Sequence, residues 1–524
     1  MIESAVRQIV EKMSRTALPG WTRAVLDGKA GRRAAGWSIA YEIAGVGVQR
    51  GSRAVTHQDL CSVSEELWAE RGWTPVSLEI TCRPSGEFRL VAFKTDVASM
   101  RGVQNGFLAF LDREHRPLEP GHRQPGGSAN PDGDPDLAVE RFHEYMRRRA
   151  EILGHTEPLP PPASPTALDE AERALGVQLP ADLRSLYLIA DGDRIDGQPG
   201  SAFGGYSWLP LKALASVHAD LPDAPWIGWR LGWDRVVLDA EPQETVRRCR
   251  FHSGWLPFGS DEDGNYLVAD LAPARNGRPG QVVLAGSDYE EGAEYVASSV
   301  TALLGRYLEL LDQRAYEVVG SRLVVLEPPR ESSAEMFVEE FPEPVPSTLQ
   351  AIHVLGAVSP VDLDPLTAAT RLKRVNLNNC STAGLEPLSV LPVESLRVTL
   401  SEGDLSPLTR HEHLAAFELS TDYLVDISPL TTIPTLHGLD LSGAQIADLR
   451  VLAELPNLRY LALNARQWEI LLDAGAAPPT LAVAALIGDD QSFDDALAWA
   501  ARLGVDTTDA FRLVGTLGGA ASAG

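Results

Sequence analysis

Three short runs of this sequence carry residue types that could do chemistry. Asp261-Glu262-Asp263-Gly264-Asn265 spaces three oxygen side chains two residues apart, as a calcium loop does. Such a loop has glycine at position 6 and a bidentate glutamate at position 12. Here glycine stands at position 4 and Ala272 at position 12, so the run reads as an acidic hairpin turn. His411-Glu-His413 offers two imidazoles with no third ligand nearby in the chain, and it reads as an exposed loop. Gly45-Val-Gly47-Val-Gln-Arg-Gly51 is one residue too long for a dinucleotide turn and opens no helix. There is no phosphate-binding Gly-x-x-x-x-Gly-Lys-Ser/Thr run and no Gly-x-Ser-x-Gly elbow. The sequence therefore implies no catalytic residue, no cofactor and no metal. It points to binding.

The charge says what kind of binding. The 524 residues carry a net charge of −26. The excess lies in residues 166–312, with 12 Lys/Arg against 23 Asp/Glu, and in residues 313–524, with 13 against 28. Phosphate backbones require basic surface, so nucleic acid is excluded as a direct ligand and a basic protein partner fits. Four scattered cysteines, Cys61, Cys82, Cys249 and Cys380, make neither a disulfide framework nor a zinc set. The N-terminus lacks the pattern of a signal peptide, and no run of 18 apolar residues exists. The expected home is the cytoplasm, away from membranes.

The elements that must position a binding surface begin with a block at 166–312. Thr166 and Asp169 are spaced as a capping box, with Leu168, Ala171 and Leu175 on one helical face. Gly176 ends that helix and Pro180 starts the next, which carries Leu183, Leu186, Tyr187 and Ala190. Trp208-Leu-Pro210 and Trp255-Leu-Pro257-Phe258 follow. Tyr266, Val268 and Asp270 alternate as a strand that can pair with Gln281–Leu284, and a helix closes the block from Ser298 to Leu311. Helices, a small antiparallel sheet and a last helix make an α+β domain. Four motifs in this order, Gly176-Val-Gln-Leu-Pro180 with Tyr187 and Asp191-Gly192, Trp208-Leu-Pro210, Trp255-Leu-Pro257-Phe258 with Asp263-Gly-Asn-Tyr266, and the Ser298-Ser299 helix, resemble the SUKH superfamily. That superfamily includes fungal cell-wall assembly regulators and bacterial immunity proteins. The resemblance implies a protein-binding domain without catalytic residues, which in bacteria typically neutralises a toxin, often a nuclease.

Residues 1–112 read as a small α+β domain. Val6, Ile9, Val10 and Met13 share a helical face, Trp37, Ile39, Tyr41 and Ile43 alternate, and Thr56 with Asp59 caps a second helix. Val76–Cys82 and Phe88–Phe93 are strands around Pro84-Ser-Gly86. With Pro19-Gly-Trp21 and Trp73-Thr-Pro75, this order resembles the YezG-like antitoxin family. Residues 113–165 read as a linker with a helix at 137–153, and residues 313–348 as a second linker.

From Leu349 the chain repeats. Apolar residues recur at positions 1, 4 and 6 of six units spaced 23, 21, 21, 22 and 22 residues apart. A second signature, Leu363-Asp-Pro-Leu366, returns as Leu385-Glu-Pro-Leu388, Leu405-Ser-Pro-Leu408 and Ile427-Ser-Pro-Leu430. This is a leucine-rich repeat, and it predicts a curved parallel sheet over 349–464 with Leu377, Leu419, Leu441 and Leu463 in one interior ladder. A helical cap at 465–517 and a disordered tail at 518–524 follow. The whole is a multidomain α+β protein: an N-terminal α+β domain, a SUKH-like domain and a solenoid with a cap.

Two surfaces are expected to bind. In the central domain they are Asp191, Asp193 and Asp196, then Asp261, Glu262 and Asp263, then Glu290, Glu291 and Glu294. Each run borders a glycine and lies outside the apolar periodicity, so exposure is expected. In the solenoid the outward row includes Arg374, Asn376, Arg397, Glu418, Asp440 and Tyr460. The favoured function is immunity, by occlusion of a basic toxin. The alternative is an interaction scaffold in signalling or cell-wall regulation.

Overall fold

The computed structural model describes residues 2–523 except 33, 52–53, 101–104, 117–118, 196–199, 221–231, 321, 328–333, 489–490 and 519–521. In chain order, α1 (Ile2–Thr16) precedes β1 (Trp21–Ala30), β2 (Ala35–Ile43) and β3 (Gly47–Arg50). Then come α2 (His57–Arg71), β4 (Val76–Cys82), β5 (Glu87–Lys94), β6 (Val97–Ser99) and β7 (Gly106–Phe110). The middle of the chain forms α3 (Pro135–Leu153), α4 (Pro165–Leu175), α5 (Ala181–Tyr187), β8 (Ser207–Trp208) and α6 (Leu211–Asp220). It continues with β9 (Trp255–Ser260), β10 (Asn265–Asp270), β11 (Gln281–Gly286), β12 (Glu294–Ala297) and α7 (Val300–Asp312). A hairpin, β13 (Tyr316–Val319) and β14 (Arg322–Val325), leads to β15 (Glu335–Val338), β16 (Ala351–Leu355), β17 (Arg374–Thr382), β18 (Ser395–Leu400), β19 (Ala416–Val425), β20 (Gly438–Ile446) and β21 (Tyr460–Asn464). The chain ends through α8 (Ala465–Asp473), β22 (Val483–Ile487), α9 (Phe493–Arg502), β23 (Phe511–Thr516) and β24 (Ser522–Ala523).

The central block builds an antiparallel sheet in the order β12-β11-β10-β9-β8. Tyr266 faces Ala285 and Asp270 faces Gln281, so the expected pairing of these strands is present. Gly176 caps α4 in the left-handed region at φ 70°, where a side chain is disfavoured. The start of that helix differs from expectation. Ser164 is the N-cap, its hydroxyl accepting from the Ala167 amide, because Pro165 is suited to the first helical position and moves the cap two residues upstream of Thr166.

The helix expected in the linker is instead part of the central core. Ala138, Phe142, Tyr145 and Arg149 of α3 are buried, and α3 packs on α5 and α7. Periodicity identified the helix; its partners are far away in sequence and left no local signal. The Pro/Gly-rich stretch before α3 also lies against this domain. The Gly121 amide donates to Arg248 O at 2.8 Å, and Arg250 pairs with Glu119 at 2.7 Å.

The repeat units lie in a ten-stranded sheet, parallel from β15 to β22 and then antiparallel through β7 and β6. Position 4 of each unit lines up across the strands: Ile352, Val375, Leu396, Phe417, Leu439 and Leu461. Leu377, Leu419, Leu441 and Leu463 are all buried, as the phase predicts. After each of β16 to β20 comes a short 3₁₀ turn. Aspartates hold four of them. Asp362, Asp404, Asp426 and Asp448 each accept the amide two residues on, and at Asp448 the Arg450 guanidinium, together with this bond, pulls the carboxyl down to about 2.

The ends of the chain are less separable than expected. The predicted helical cap contains α8 and α9, but β22 and β23 as well. The cap joins the first domain twice, through β22 pairing with β7 and β23 pairing with β5. The first sheet thus runs β24-β23-β5-β4-β1-β2-β3. Ser522–Ala523 of the predicted disordered tail pairs with β23. Helices α1 and α2 cover one face of this sheet, with Val6, Ile9, Leu60 and Val63 in its core. Val91 and Phe93 on the opposite face belong to the cluster formed by the repeat leucines. Deleting residues 510–524 is therefore expected to turn β5 into an edge strand. Hydrogen exchange on the truncated protein should then show β5 amides losing protection while β18 and β19 keep theirs. Unchanged β5 protection would show that β23 contributes nothing to that sheet.

Candidate protein-binding surfaces

The tryptophans of the Trp-Leu-Pro motifs are core residues. Trp208 is enclosed by Phe142, Tyr187 and Phe203 at ring distances of 5.6, 5.0 and 5.6 Å, and the Tyr187 hydroxyl donates to Leu209 O at 2.7 Å. Trp255 lies on the other side of the sheet with Val246, Cys249 and Val268.

The acidic runs divide into anchors and exposed groups. Asp193, expected at the surface, is buried. Its carboxylate accepts from the amides of Ala202 and Trp208 and from Ser207 Oγ at 2.8–2.9 Å. It ties together loops whose backbone donors would otherwise be unsatisfied. Asp191 accepts from the Leu211 amide at 2.8 Å at the start of α6, and Asp196 falls outside the described residues. Asp261 accepts from the amides of Asp263 and Asn265 and from Asn265 Nδ2, which makes it the pin of the hairpin turn. Glu262 is exposed and pairs with Arg194; Asp263 and Glu294 are exposed. Glu290 is exposed and bonded to Arg235 at 2.7 Å. Glu291 reaches the neighbouring domain and pairs with Arg374.

The polar face of the repeat sheet is largely covered. Arg374, Asn376, Asp440 and Tyr460, expected to face outwards, are each at most 9% exposed. The central domain covers Arg374 through Glu291 and Tyr460 through Trp233. Arg248 pairs with Glu394 at 2.7 Å, and Lys373 lies 3.4 Å from Asp239. Trp233 stacks flat on Tyr460, with ring centroids 4.7 Å apart. Asn376 bonds His353, and Asp440 accepts from Ser442. Arg397 lies between Glu418 at 2.6 Å and Asp234 at 3.5 Å. A sequence repeat shows which side chains leave the sheet, but not what the rest of the chain places against them. The residues missed are Trp233, Asp234, Asp239 and Glu241 on one side and Gln350, Arg371, Lys373 and Glu394 on the other. The available signal was charge at the second position of three repeat units, Lys373, Glu394 and Arg459.

Burial sets the electrostatics of this junction. It pushes the Glu418 carboxyl up to about 7, with Arg397 opposing and Asp440 adding to the rise. It also raises Glu291 against the pull of Arg374, while the His353 hydrogen bond holds Glu335 down. Burial lowers the Lys373 ammonium. Beside the junction lies a cleft of about 790 Å³ bounded by Leu238, Glu290, Glu291, Tyr295, Arg306 and Glu335. Among the described residues no group of His, Cys, Asp or Glu is arranged to hold a metal ion. His411, read from sequence as exposed, is buried; its Nδ1 faces the Leu414 amide at 3.0 Å, and it braces a repeat turn. All four cysteines are buried and unpaired, and burial lifts the Cys82 thiol to about 11. Among the described residues no helix is long and apolar enough to cross a membrane.

The central domain is thus a helix-backed antiparallel sheet whose buried polar groups anchor its loops. Residues 162–306 match the model of the SMI1 / KNR4 family (SUKH-1). A SUKH-1 domain thus forms the centre of the chain. The KNR4/SMI1 homolog of Yarrowia lipolytica is 26% identical over 204 residues, covering 30% of this chain and 28% of that protein. The glucan synthesis regulatory protein of Neurospora crassa is 29% identical, covering 24% and 29%. The cell wall biosynthesis/cell cycle regulator smi1 of Schizosaccharomyces pombe is 30% identical, covering 24% and 26%. The chain spans less than a third of the length of each of these relatives. Among solved structures, an internalin C2 of Listeria monocytogenes is 26% identical, covering 22% of this chain and 52% of that one at a TM-score of 0.20. An internalin (inlF) of the same species is 19% identical, covering 29% and 46% at a TM-score of 0.24.

Proposed function

We propose that this protein is a non-catalytic regulator that works by binding other proteins, with a SUKH-1 domain and a leucine-rich-repeat solenoid joined in one scaffold. The observation that carries the reading is the SUKH-1 match at residues 162–306, with relatives named as regulators of glucan synthesis and cell-wall biosynthesis. The anchoring roles of Asp193 and Asp261 agree with it, since these carboxylates are spent on loop amides rather than aimed at a substrate. We place the protein in the cytoplasm. A second reading, neutralisation of a basic toxin, draws on the net charge of −26 and the exposed Glu262, Asp263, Glu290 and Glu294, and on the YezG-like pattern of the first domain.

Cross-linked affinity purification from the native cell, with Glu262, Asp263 and Glu290 reversed to lysine in parallel, tests both. The scaffold reading expects endogenous proteins of envelope assembly or signalling among the partners, held by wild type and variant alike. A partner that is a toxin, inhibited at equal molar ratio and released by the charge reversals, would give the function to the second reading. Turnover of a substrate by the purified protein would sink both.

A further inference from the structure

Residues 233–241 lie without helix or strand across the polar face of the repeat sheet. Trp233 packs among Ala416, Tyr460, Ala462 and Val483. Gly438 makes room for it, since a Cβ there would lie 2.8 Å from a Trp233 ring carbon. Asp234 faces Arg397 at 3.5 Å. Asp239 faces Lys373 at 3.4 Å and Arg371 at 3.9 Å, and Glu241 meets Arg371 at 2.5 Å. Gln350 reads the backbone itself: its Oε1 accepts from the Asp239 amide at 2.8 Å, and its Nε2 donates to the Asp239 carbonyl at 3.0 Å.

This is the chemistry of a peptide site. An aromatic anchor fills a recess, a side-chain amide pairs with main-chain groups, and cations flank acidic side chains. The cations are out of character with their surroundings. Residues 313–524 hold 13 Lys/Arg against 28 Asp/Glu, yet Arg371, Lys373, Arg374 and Arg397 gather on this one strip. The cores of the SUKH-1 domain and the repeat sheet are separate clusters, so the ion pairs and the Trp233 contact carry much of the junction.

We propose that the strip Arg371–Lys373–Arg397 with Gln350 is a recognition site for an extended, acidic, tryptophan-bearing segment of a partner protein, and that residues 233–241 occupy it as an internal competitor. The proposal rests on the protein-binding reading and names the partner's chemistry. An occupied site binds its ligand with an affinity reduced by the fraction of molecules in which the site is open, so loosening the internal segment must strengthen binding from outside.

The test uses the full chain and a fluorescent peptide copying residues 232–242. Wild type and a Trp233→Ala/Asp239→Lys variant are titrated at about 50 and about 300 mM salt. The variant is expected to bind at least about ten-fold more tightly than wild type, more weakly at high salt, and not to bind a peptide carrying the same two changes. Equal affinity for wild type and variant, or equal binding of the altered peptide, would overturn the proposal. Hydrogen exchange on wild type keeps the test decisive should the variant misfold. Saturating peptide should speed exchange of the amides of residues 233–241, and unchanged exchange would refute displacement. Failure of the peptide while native protein partners are still captured would remove this inference and leave the protein-binding reading standing.

Discussion

Replacing Arg149 by methionine is expected to destabilise the central domain by about 3–5 kcal/mol. The Arg149 side chain is wholly buried. Its Nε and one Nη donate to Glu157 at 2.7 Å, and that Nη also reaches Ser201 Oγ at 2.8 Å. The other Nη reaches the Tyr145 hydroxyl at 3.1 Å and Leu323 O at 3.2 Å. A guanidinium has five N–H donors, and here each has an acceptor. Methionine keeps most of the volume, so the loss measures the polar network: a half-buried carboxylate without its cation and a carbonyl without its donor. The chain has several cores and need not unfold in one step, so hydrogen exchange in α3 and α7 is the right reading. Adding Glu157→Gln should recover part of the loss, because it removes the stranded charge. Protection within about 1 kcal/mol of wild type in the single variant would show that the network is dispensable.

The largest pH effect is expected from Asp270. Its side chain is completely buried, and burial pushes its carboxyl up to about 7 against the Ala272 amide, Gln281 and Arg247. An unfolded aspartate titrates near 3.9. The folded state therefore holds the proton more tightly, and the stability this gives is complete below about pH 4 and lost as pH rises through about 7. The full loss is roughly 4 kcal/mol at 1.36 kcal/mol per unit. Glu418, also raised to about 7, adds loss of the same sign at the junction between domains. Lowered carboxylates such as Asp59 and Asp448 act in the opposite sense at more acid pH. The informative quantity is thus the difference between wild type and Asp270→Asn in thermal melts from pH 5 to pH 8. Wild type should lose stability relative to the variant across that range. Parallel curves would place Asp270 in its ordinary range.

The repeat was legible because its phase is local. A residue four places into each unit must face the interior whatever the neighbouring domains do, and Val375, Leu396, Phe417 and Leu439 show this. The same holds for Thr56 and Asp59, which read as a capping box and form one. The binding face was not legible. Exposure depends on what lies opposite, and nothing near Tyr460 in the chain announces Trp233. Asp193 misled for a related reason: a glycine-bordered acidic run marks a turn, but a carboxylate at a turn can face inward to satisfy amides from another loop. The α3 helix was found by its period and assigned to the wrong unit, because Phe142 meets Trp208 across sequence that carries no shared pattern.

The interleaved ends set an order of events during synthesis. Arg7 in α1 donates to the carbonyl of Thr516 at 2.7 Å, 509 residues further along. Strand β5 ends at residue 94 and β23 begins at residue 511, so at roughly 5–20 residues per second β5 waits about 20–80 s for that partner. Throughout that interval β5 presents an unpaired edge, and β7 waits as well for β22. An open edge is a template for the wrong strand, including the same strand of another nascent chain on the same message. Strands β22 and β23, made long after β7 and β5, thus complete sheets begun much earlier, and until they are made, holdase chaperones have two strand edges to shield.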